Sequence, residues 1–356
     1  VAIKDYANTF DTNAVTLVQN GSDKIGGSTT NASLSTEGLA VTLVFVDSTQ
    51  GWLVTDNGTQ DTAPTAEYVT ATGGTPTTSP CGDYKIHTFT GPGALCVSAV
   101  GNAAGSTVLE YIVVAGGGGA DGNTGNTRGG GGGGGFRFAS PSLAPLCYPG
   151  KPLAAPAGIT AAVQSYPIVV GGGGNNSATQ GSDSSGLSIT STGGGRDAGN
   201  GGSGGGGAGG SLNNPGGTGN TPPVSPPQGN NGGTSSTGSP DHASGGGGGA
   251  VAVGTNGAPP ASGTGGDGAG MPTGFGANGV PCGSFRYYAG GGGGGGNIPT
   301  SLPAGAGGKG GGGAGSQTTS TAGTVNSGGG SGGGGGGGPG NSGGPGIVII
   351  RYKFQN

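Results

Sequence analysis

Runs in which apolar and polar residues alternate occur in the first hundred residues of the chain. Residues 14–18 and 40–46 alternate in this way between clusters of Asn, Gly, Ser and Asp, which predicts short β-strands. Residues 84–89 and 94–100 alternate on either side of the turn 91–93, which predicts a β-hairpin.

Two further segments, 108–114 and 347–352, are almost continuously apolar. Such a pattern is typical of strands that are buried on both faces. Because they flank a region of 232 residues that is poor in large apolar side chains, we predict that they are adjacent strands of one sheet that closes this region.

Composition argues at first for disorder, since 99 of the 356 residues are Gly and 24 are Pro. Only 7% of residues are charged, however, and the net charge is −4, so little self-repulsion keeps the chain open. Solid Gly runs exclude collagen and disfavour α-helices, in which each Gly costs about 1 kcal/mol. No apolar run approaches the ~20 residues of a membrane span, and we expect no signal peptide.

The glycine is concentrated in residues 115–346, which hold 86 of the 99. A pure Gly run buries no side chain, so its backbone N–H and C=O groups must find partners in other segments. The polyproline-II conformation points these groups outward in three directions, and without Cβ atoms such helices can pack closely. We therefore predict a sandwich of polyglycine-II helices joined by loops.

The predicted fold is an all-β stem and β base plus a polyglycine-II helix sandwich, with essentially no α-helix. With so few apolar residues, the stem is expected to bury its strand faces against copies of itself. The predicted boundaries are a stem at 1–57, a linker at 58–80, a β base at 81–114, the sandwich at 115–346 and a closing strand at 347–356 that pairs with the base.

The residues that carry chemistry are sparse. Lys and Arg number 11 and form no patch, so nucleic acid is not expected as a partner. Glu is absent after Glu110, no paired carboxylates or Ser-His-Asp set is apparent, and Gly-x-Gly patterns arise from composition alone. His87, expected at a surface or interface, and His242 have no metal-ligand spacing. We therefore expect no enzyme, no metal site and no cofactor.

The four cysteines form two candidate disulfides. Cys81 and Cys96 lie at opposite ends of the predicted hairpin, where cross-strand pairing could bring them together. Cys147 and Cys282 lie in two long loops, which a bond would tie together. The alternative is four free, buried thiols.

Aromatic residues and arginines gather in the loops of the glycine-rich region, and such side chains favour binding. The alternative is that the rings close the ends of the sandwich as small cores. Six residues are candidates for receptor contact: Arg137, Tyr148, Phe275, Arg286, Tyr287 and Tyr288.

Two stretches resemble a known family, the tail-fibre adhesins of bacterial viruses. Residues 5–10, 20–28 and 41–52 resemble a trimeric β-structured stem module of phage tail fibres. Residues 87–119, beginning His-Thr-Phe-Thr-Gly-Pro-Gly, and 344–352 resemble the glycine-rich distal domain of such fibres.

The resemblance implies a homotrimeric distal tail-fibre adhesin on the virion. Its implied partners are upstream tail-fibre or baseplate proteins and a host outer-membrane protein or lipopolysaccharide. Glycine-rich domains of this type also occur on bacterial surface proteins, so a non-viral extracellular filament or cell-surface structural protein is the alternative.

Overall fold

The computed structural model describes residues 1–58, 66–121, 127–210, 213–237, 241–298, 300–335 and 340–355. The chain forms two compact units, Val1–Ala66 and Glu67–Asn356. The described residues contain no α-helix, which confirms the predicted all-β class; two three-residue 3₁₀ turns lie at Lys151–Leu153 and Thr273–Phe275.

The first unit consists of two small antiparallel sheets. One has the order β1-β4-β5 and the other pairs β2 with β3. Its strands are β1 (Ala2–Lys4), β2 (Val15–Leu17), β3 (Ala32–Leu34), β4 (Ala40–Asp47) and β5 (Gly51–Gly58).

Very little of this unit is buried. Its core contains three buried apolar side chains, Leu34, Val41 and Leu43. Phe45 is 48% exposed, although its ring packs edge-on against Trp52 with centroids 5.7 Å apart. So small a core supplies little stabilisation to a unit of this size.

The second unit contains the glycine-rich region and, among its described residues, fourteen strands. The strands are β6 (Thr70–Thr72), β7 (Thr75–Thr78), β8 (Tyr84–Phe89), β9 (Gly93–Ala99), β10 (Val108–Val114), β11 (Phe136–Ala139), β12 (Ile159–Thr160), β13 (Ser165–Ile168), β14 (Ser184–Gly186), β15 (Ile189–Ser191), β16 (Ala269–Met271), β17 (Val280–Cys282), β18 (Phe285–Tyr288) and β19 (Ile347–Lys353).

The largest sheet, which we term the base sheet, has the order β11-β10-β19-β8-β7, with β12 pairing on β10. β10 and β19 are antiparallel neighbours with Ile112 opposite Ile349, as the two apolar segments predict. Successive residues of β10 enter opposite cores, because Val113 belongs to one buried cluster and Ile112 to the other. Burial on both faces explains why these strands show no alternation.

The predicted hairpin of residues 84–100 is wrong. β8 lies in the base sheet between β7 and β19, whereas β9 lies between β6 and β13 in a separate sheet. Both edges of β8 are already paired, so β9 has no edge on which to return. The predicted linker also differs in part: residues 59–65 lie outside the described residues, but 70–78 form β6 and β7, consistent with the strand preference of Thr.

A buried ion pair crosses the base sheet between β10 and β19. Arg351 Nε donates to Glu110 Oε2 at 2.7 Å, and both side chains are 4% exposed. The remaining guanidinium nitrogens donate to Gly274 O at 2.9 Å and Ser142 Oγ at 2.7 Å. The Arg351 guanidinium lies 4.0 Å from the ring centroid of Tyr84. Its charge is therefore fully compensated.

The glycine segments hydrogen-bond to one another with a period of three. Within residues 128–135, Gly130 and Gly133 donate to Gly245 and Gly248 at 3.1 and 2.9 Å, so every third donor reaches the same neighbour. The other donors of this stretch reach segments 192–197 and 328–334, and its carbonyls accept from segments 115–118, 203–206 and 292–295.

Residues 128–135 therefore have six neighbours, three that accept and three that donate. Three residues per turn, with every bond between segments rather than within one, is the polyglycine-II arrangement. The segment 290–296 repeats it, since Gly290 and Gly293 donate to Gly310 and Gly313. Backbone pairing takes the place of side-chain packing throughout this bundle.

The glycine bundle has two ends. The base end adjoins the base sheet, because Gly135 continues directly into β11. We term the opposite end, which includes Ala120, Arg128 and the turn 196–198, the apical end. Seven residues at 3.1 Å per residue place it about 22 Å from the base sheet.

Candidate functional site

The aromatic candidates for receptor contact lie at the base end and are mostly buried. Phe275 and Tyr288 are 1% exposed, and Tyr148 and Tyr287 are 5% and 8% exposed. Phe275, Tyr288 and Tyr148 join one core cluster with Phe136 of β11.

Burial also governs the chemistry of these rings. It raises the pKa of the Tyr288 hydroxyl, which donates to Asn278 O at 2.7 Å. Burial, followed by the charge of Glu110, raises the pKa of Tyr148 to about 12. The expectation that Phe275, Tyr148, Tyr287 and Tyr288 contact a receptor is therefore corrected: their rings close the base end of the bundle, which was the alternative.

Arg137 and Arg286 differ from the rings beside them, because both are half-buried rather than enclosed. Arg137 in β11 donates from a terminal guanidinium nitrogen to Thr190 O at 3.2 Å. Arg286 in β18 stands opposite Met271 and Pro281 in the sheet register. Both arginines remain candidates for contact, but at the base end.

Neither predicted disulfide is present, and all four thiols are free and exposed. Cys96 lies in β9, outside the base sheet, with Sγ 3.6 Å from Ser165 Oγ. Cys81 lies 3.1 Å from Ser79 Oγ, which lowers the pKa of its thiol. Because the expected hairpin does not form, nothing aligns these two residues. Cys147 and Cys282 likewise remain unbonded; Cys147 lies in a loop as expected, whereas Cys282 is the last residue of β17.

His87 is buried rather than at a surface. Its Nδ1 lies 2.6 Å from Gly73 O and its Nε2 lies 3.1 Å from Tyr352 Oη, so both ring nitrogens are engaged. Burial lowers its pKa, which disfavours the charged form. Across the described ranges, no group of three His, Cys, Asp or Glu residues could hold a metal ion. No helix there is long and apolar enough to cross a bilayer.

Charged residues instead gather at the apical end, around an open cavity of about 370 Å³. The bundle positions them, because Arg128 immediately precedes the run Gly129–Gly135 and the pair Arg196-Asp197 immediately follows 193–195. The cavity, which we term the apical cavity, is lined by Asp121, Arg128, Ala178, Arg196, Asp197, Ala198, Ala208, Asn214 and Pro215.

Two carboxylates face one guanidinium in this cavity. Arg128 lies 3.6 Å from Asp197 Oδ2 and 3.9 Å from Asp121 Oδ2, through its two terminal nitrogens. Asp197 also accepts from the N–H of Gly129 at 3.2 Å, and its side chain is 8% exposed. Burial raises the pKa of the Asp197 carboxyl to about 6, although Arg128 and this N–H oppose the rise.

Sequence reasoning missed the apical cavity. One signal in the sequence is that charged residues are rare in the glycine-rich region. Residues 115–346 contain eleven charged side chains, and four of them line this cavity. A second was position, since Arg128 and Arg196 directly flank glycine segments and so lie where the chain must turn.

Comparison with known proteins supports the fold described above. No curated protein sequence matches the chain. A family model described as a glycine-rich domain matches residues 97–353, which include β10, β19 and the whole glycine bundle. Because this match spans more than half of the chain, the protein belongs to the glycine-rich domain family.

Proposed function

We propose that the protein is a distal tail-fibre adhesin of a bacteriophage, located on the virion, that attaches to a bacterial surface receptor through its apical end. The receptor is an outer-membrane protein or lipopolysaccharide, and no enzymatic step is involved. The observation that carries the proposal is the six-neighbour glycine bundle, whose rigid backbone network holds a set of apical turns at one end.

Such a bundle suits recognition because its backbone hydrogen bonds run between glycine segments. Bonds such as Gly132 N–H to Gly195 O at 2.8 Å lie inside the bundle, and among the apical turn residues Asp197 accepts the N–H of Gly129 at 3.2 Å. Binding residues are commonly placed on loops held by a rigid scaffold. Apical turn residues that make no bond to the bundle backbone can therefore vary without loss of the fold.

The first unit supports self-association. Val44, Phe45, Val46 and Val54 are each at least 45% exposed along the β4–β5 pair, while the described residues of the unit include only three buried apolar side chains. Exposed apolar patches of this kind mark interaction surfaces. In the proposed homotrimer these side chains pack against copies of the same unit, and upstream tail-fibre or baseplate proteins attach the trimer to the particle.

An extracellular filament or cell-surface structural protein is the second candidate, and the same exposed side chains favour it. The two differ in closure, because a trimer is a closed ring of copies whereas a filament adds copies without limit. Light scattering and negative-stain images of the purified chain separate them. A discrete trimer supports the adhesin, and a repeating lattice supports the filament.

Receptor attachment is tested by incubating the fluorescently labelled chain with a panel of bacterial strains and measuring cell-bound fluorescence. The adhesin should bind a subset of strains saturably, and unlabelled chain should compete. Absence of saturable binding on every strain of a broad panel, together with lattice formation, would contradict the proposal.

A further inference from the structure

Two arginines of this protein, the buried Arg351 and the half-buried Arg128, are partnered very differently. All three guanidinium nitrogens of Arg351 make hydrogen bonds of 2.7–2.9 Å. Arg128, at 19% exposure, has its Nε buried without a hydrogen-bond partner among the described residues. Its ion pairs, at 3.6 and 3.9 Å, are longer than the 2.7–2.9 Å of charge-assisted hydrogen bonds.

The difference matters because an unpartnered buried donor costs about 1–3 kcal/mol. Each guanidinium nitrogen of Arg351 already donates to a protein oxygen, whereas Arg128 lines the apical cavity. Its volume of about 370 Å³ falls within the ~300–1,000 Å³ of ordinary small-ligand pockets. The terminal nitrogens of Arg128 are held by ion pairs longer than hydrogen bonds, so they can also donate to an acceptor that enters the cavity.

The charges around the cavity restrict the ligand. Two arginines and two aspartates line it, so their formal charges cancel. An anion placed against Arg128 meets the carboxylates of Asp197 and Asp121, and a cation meets Arg128 and Arg196. A neutral ligand with several hydroxyl groups avoids both conflicts, because each hydroxyl can donate to a carboxylate and accept from a guanidinium.

The cavity wall includes backbone that is unfavourable for its residue type. Ala178 and Ala198 line the cavity with φ of 50° and 51°, in the left-handed region. This conformation costs a residue with a Cβ about 1–2 kcal/mol, and strain of this kind clusters at functional sites. In a chain with 99 glycines, two alanines at these turns place methyl groups where glycine would leave gaps.

We propose that the apical cavity binds one sugar residue of a bacterial surface glycan through adjacent hydroxyls, with Arg128 and Arg196 as donors and Asp197 and Asp121 as acceptors. The inference rests on the proposed function in taking the sugar to belong to a bacterial surface. No aromatic ring lines the described cavity, so the sugar is held by hydrogen bonds and affinity per site is low, with Kd on the order of 1 mM. Copies of the cavity on one trimer would raise the avidity for a cell.

The test uses saturation-transfer NMR of the full chain with a panel of methyl glycosides of neutral hexoses, deoxyhexoses, amino sugars and hexuronic acids. We expect saturable transfer to at least one neutral glycoside. Arg128→Lys, which keeps the charge but loses the planar fork, and Arg196→Gln, at an exposed position, should each weaken it about tenfold. Lys309→Gln removes the exposed base-end pair with Asp267 and should leave binding unchanged.

The same three variants are compared with the unmodified chain in cell-surface binding. If the chain binds cells but no glycoside, or if both arginine variants bind glycosides like the unmodified chain, the sugar assignment is wrong and the proposed function stands. If glycosides bind and cells do not, the cavity assignment stands and the proposed function fails. Saturation transfer to hexuronic acids alone would show that the ligand is anionic and not a neutral sugar. If Lys309→Gln weakens glycoside binding as much as the arginine variants do, the sugar does not bind in the apical cavity.

Discussion

Adding a single methyl group inside the glycine bundle should destabilise the protein strongly. A Cβ on Gly132 would overlap the carbonyl oxygen of Ser203 and lie 2.7 Å from its carbonyl carbon, where ordinary contacts begin near 3.4 Å. The neighbouring segment must therefore move away. Three backbone hydrogen bonds lie at the same level of the bundle. They join Gly132 N–H to Gly195 O and Gly118 N–H to Gly132 O, both at 2.8 Å, and Ser203 N–H to Gly133 O at 3.1 Å.

Losing three such bonds, at about 1 kcal/mol each, gives a cost of about 3 kcal/mol for Gly132→Ala. Gly172→Ala is the matched control, because a Cβ there meets no atom within 4 Å and φ is not positive. By restricting the unfolded chain, it should stabilise by about 0.4–1 kcal/mol. Both substitutions add the same methyl to a glycine segment of the same unit.

Thermal unfolding followed by circular dichroism measures the difference. At about 2 °C per kcal/mol for a unit of this size, Gly132→Ala should unfold about 6 °C below the unmodified chain, and Gly172→Ala at or slightly above it. If the two variants unfold at the same temperature, close packing of backbone does not hold the bundle together, and the account of its stability is wrong.

Three further predictions concern charges and thiols. Because burial raises the pKa of Asp197 from 3.8 to about 6, the folded state holds this proton more tightly; stability should fall by about 3 kcal/mol as pH rises from 3 to 7, and Asp197→Asn should flatten that part of a urea-unfolding profile. Arg351→Met leaves Glu110 buried without its cation and should cost about 3–5 kcal/mol, which the double variant with Glu110→Gln should largely restore. Mass spectrometry after alkylation of the native chain without reductant should find four modified cysteines, and two or fewer would contradict the free thiols.

Sequence pattern predicts the parts of this fold that depend on one property of a segment. The pairing of β10 with β19 could be predicted because both strands are apolar on both faces. The inter-segment bonding of the glycine runs could be predicted because a residue without a side chain has only its backbone with which to interact.

Other features depend on competition between distant segments. The alternation in β8 and β9 fits a hairpin, but β19, more than 240 residues later, takes the edge of β8 that β9 would need. Some segments of the bundle contain residues other than glycine, so glycine runs in the sequence do not predict them. The carbonyl of Thr255, for example, accepts from the N–H of Gly246 in the same network. Neither outcome can be read from a local window.

The apical cavity is also assembled from segments that are distant in sequence. Its lining residues span positions 121 to 215, and each one alone resembles an ordinary solvent-exposed charge or a turn residue. They meet because the segment 128–135, which begins at Arg128, and the segment 192–195, which ends just before Arg196, are hydrogen-bonded neighbours. The buried rings show the reverse case, since aromatic residues in loops predicted contact with a partner but pack against the base sheet.

The central claim, attachment through the apical end, is tested most directly by blocking one end of the bundle at a time. In a chain whose four cysteines are changed to Ser, Asn175→Cys provides an exposed thiol beside Gly119 at the apical end, and Lys309→Cys provides one beside Gly290 at the base end. Each thiol is coupled to a bulky polyethylene glycol, and binding to a receptive bacterial strain is measured. The account predicts that apical coupling abolishes binding and base coupling leaves it intact, whereas unchanged binding after apical coupling would contradict it.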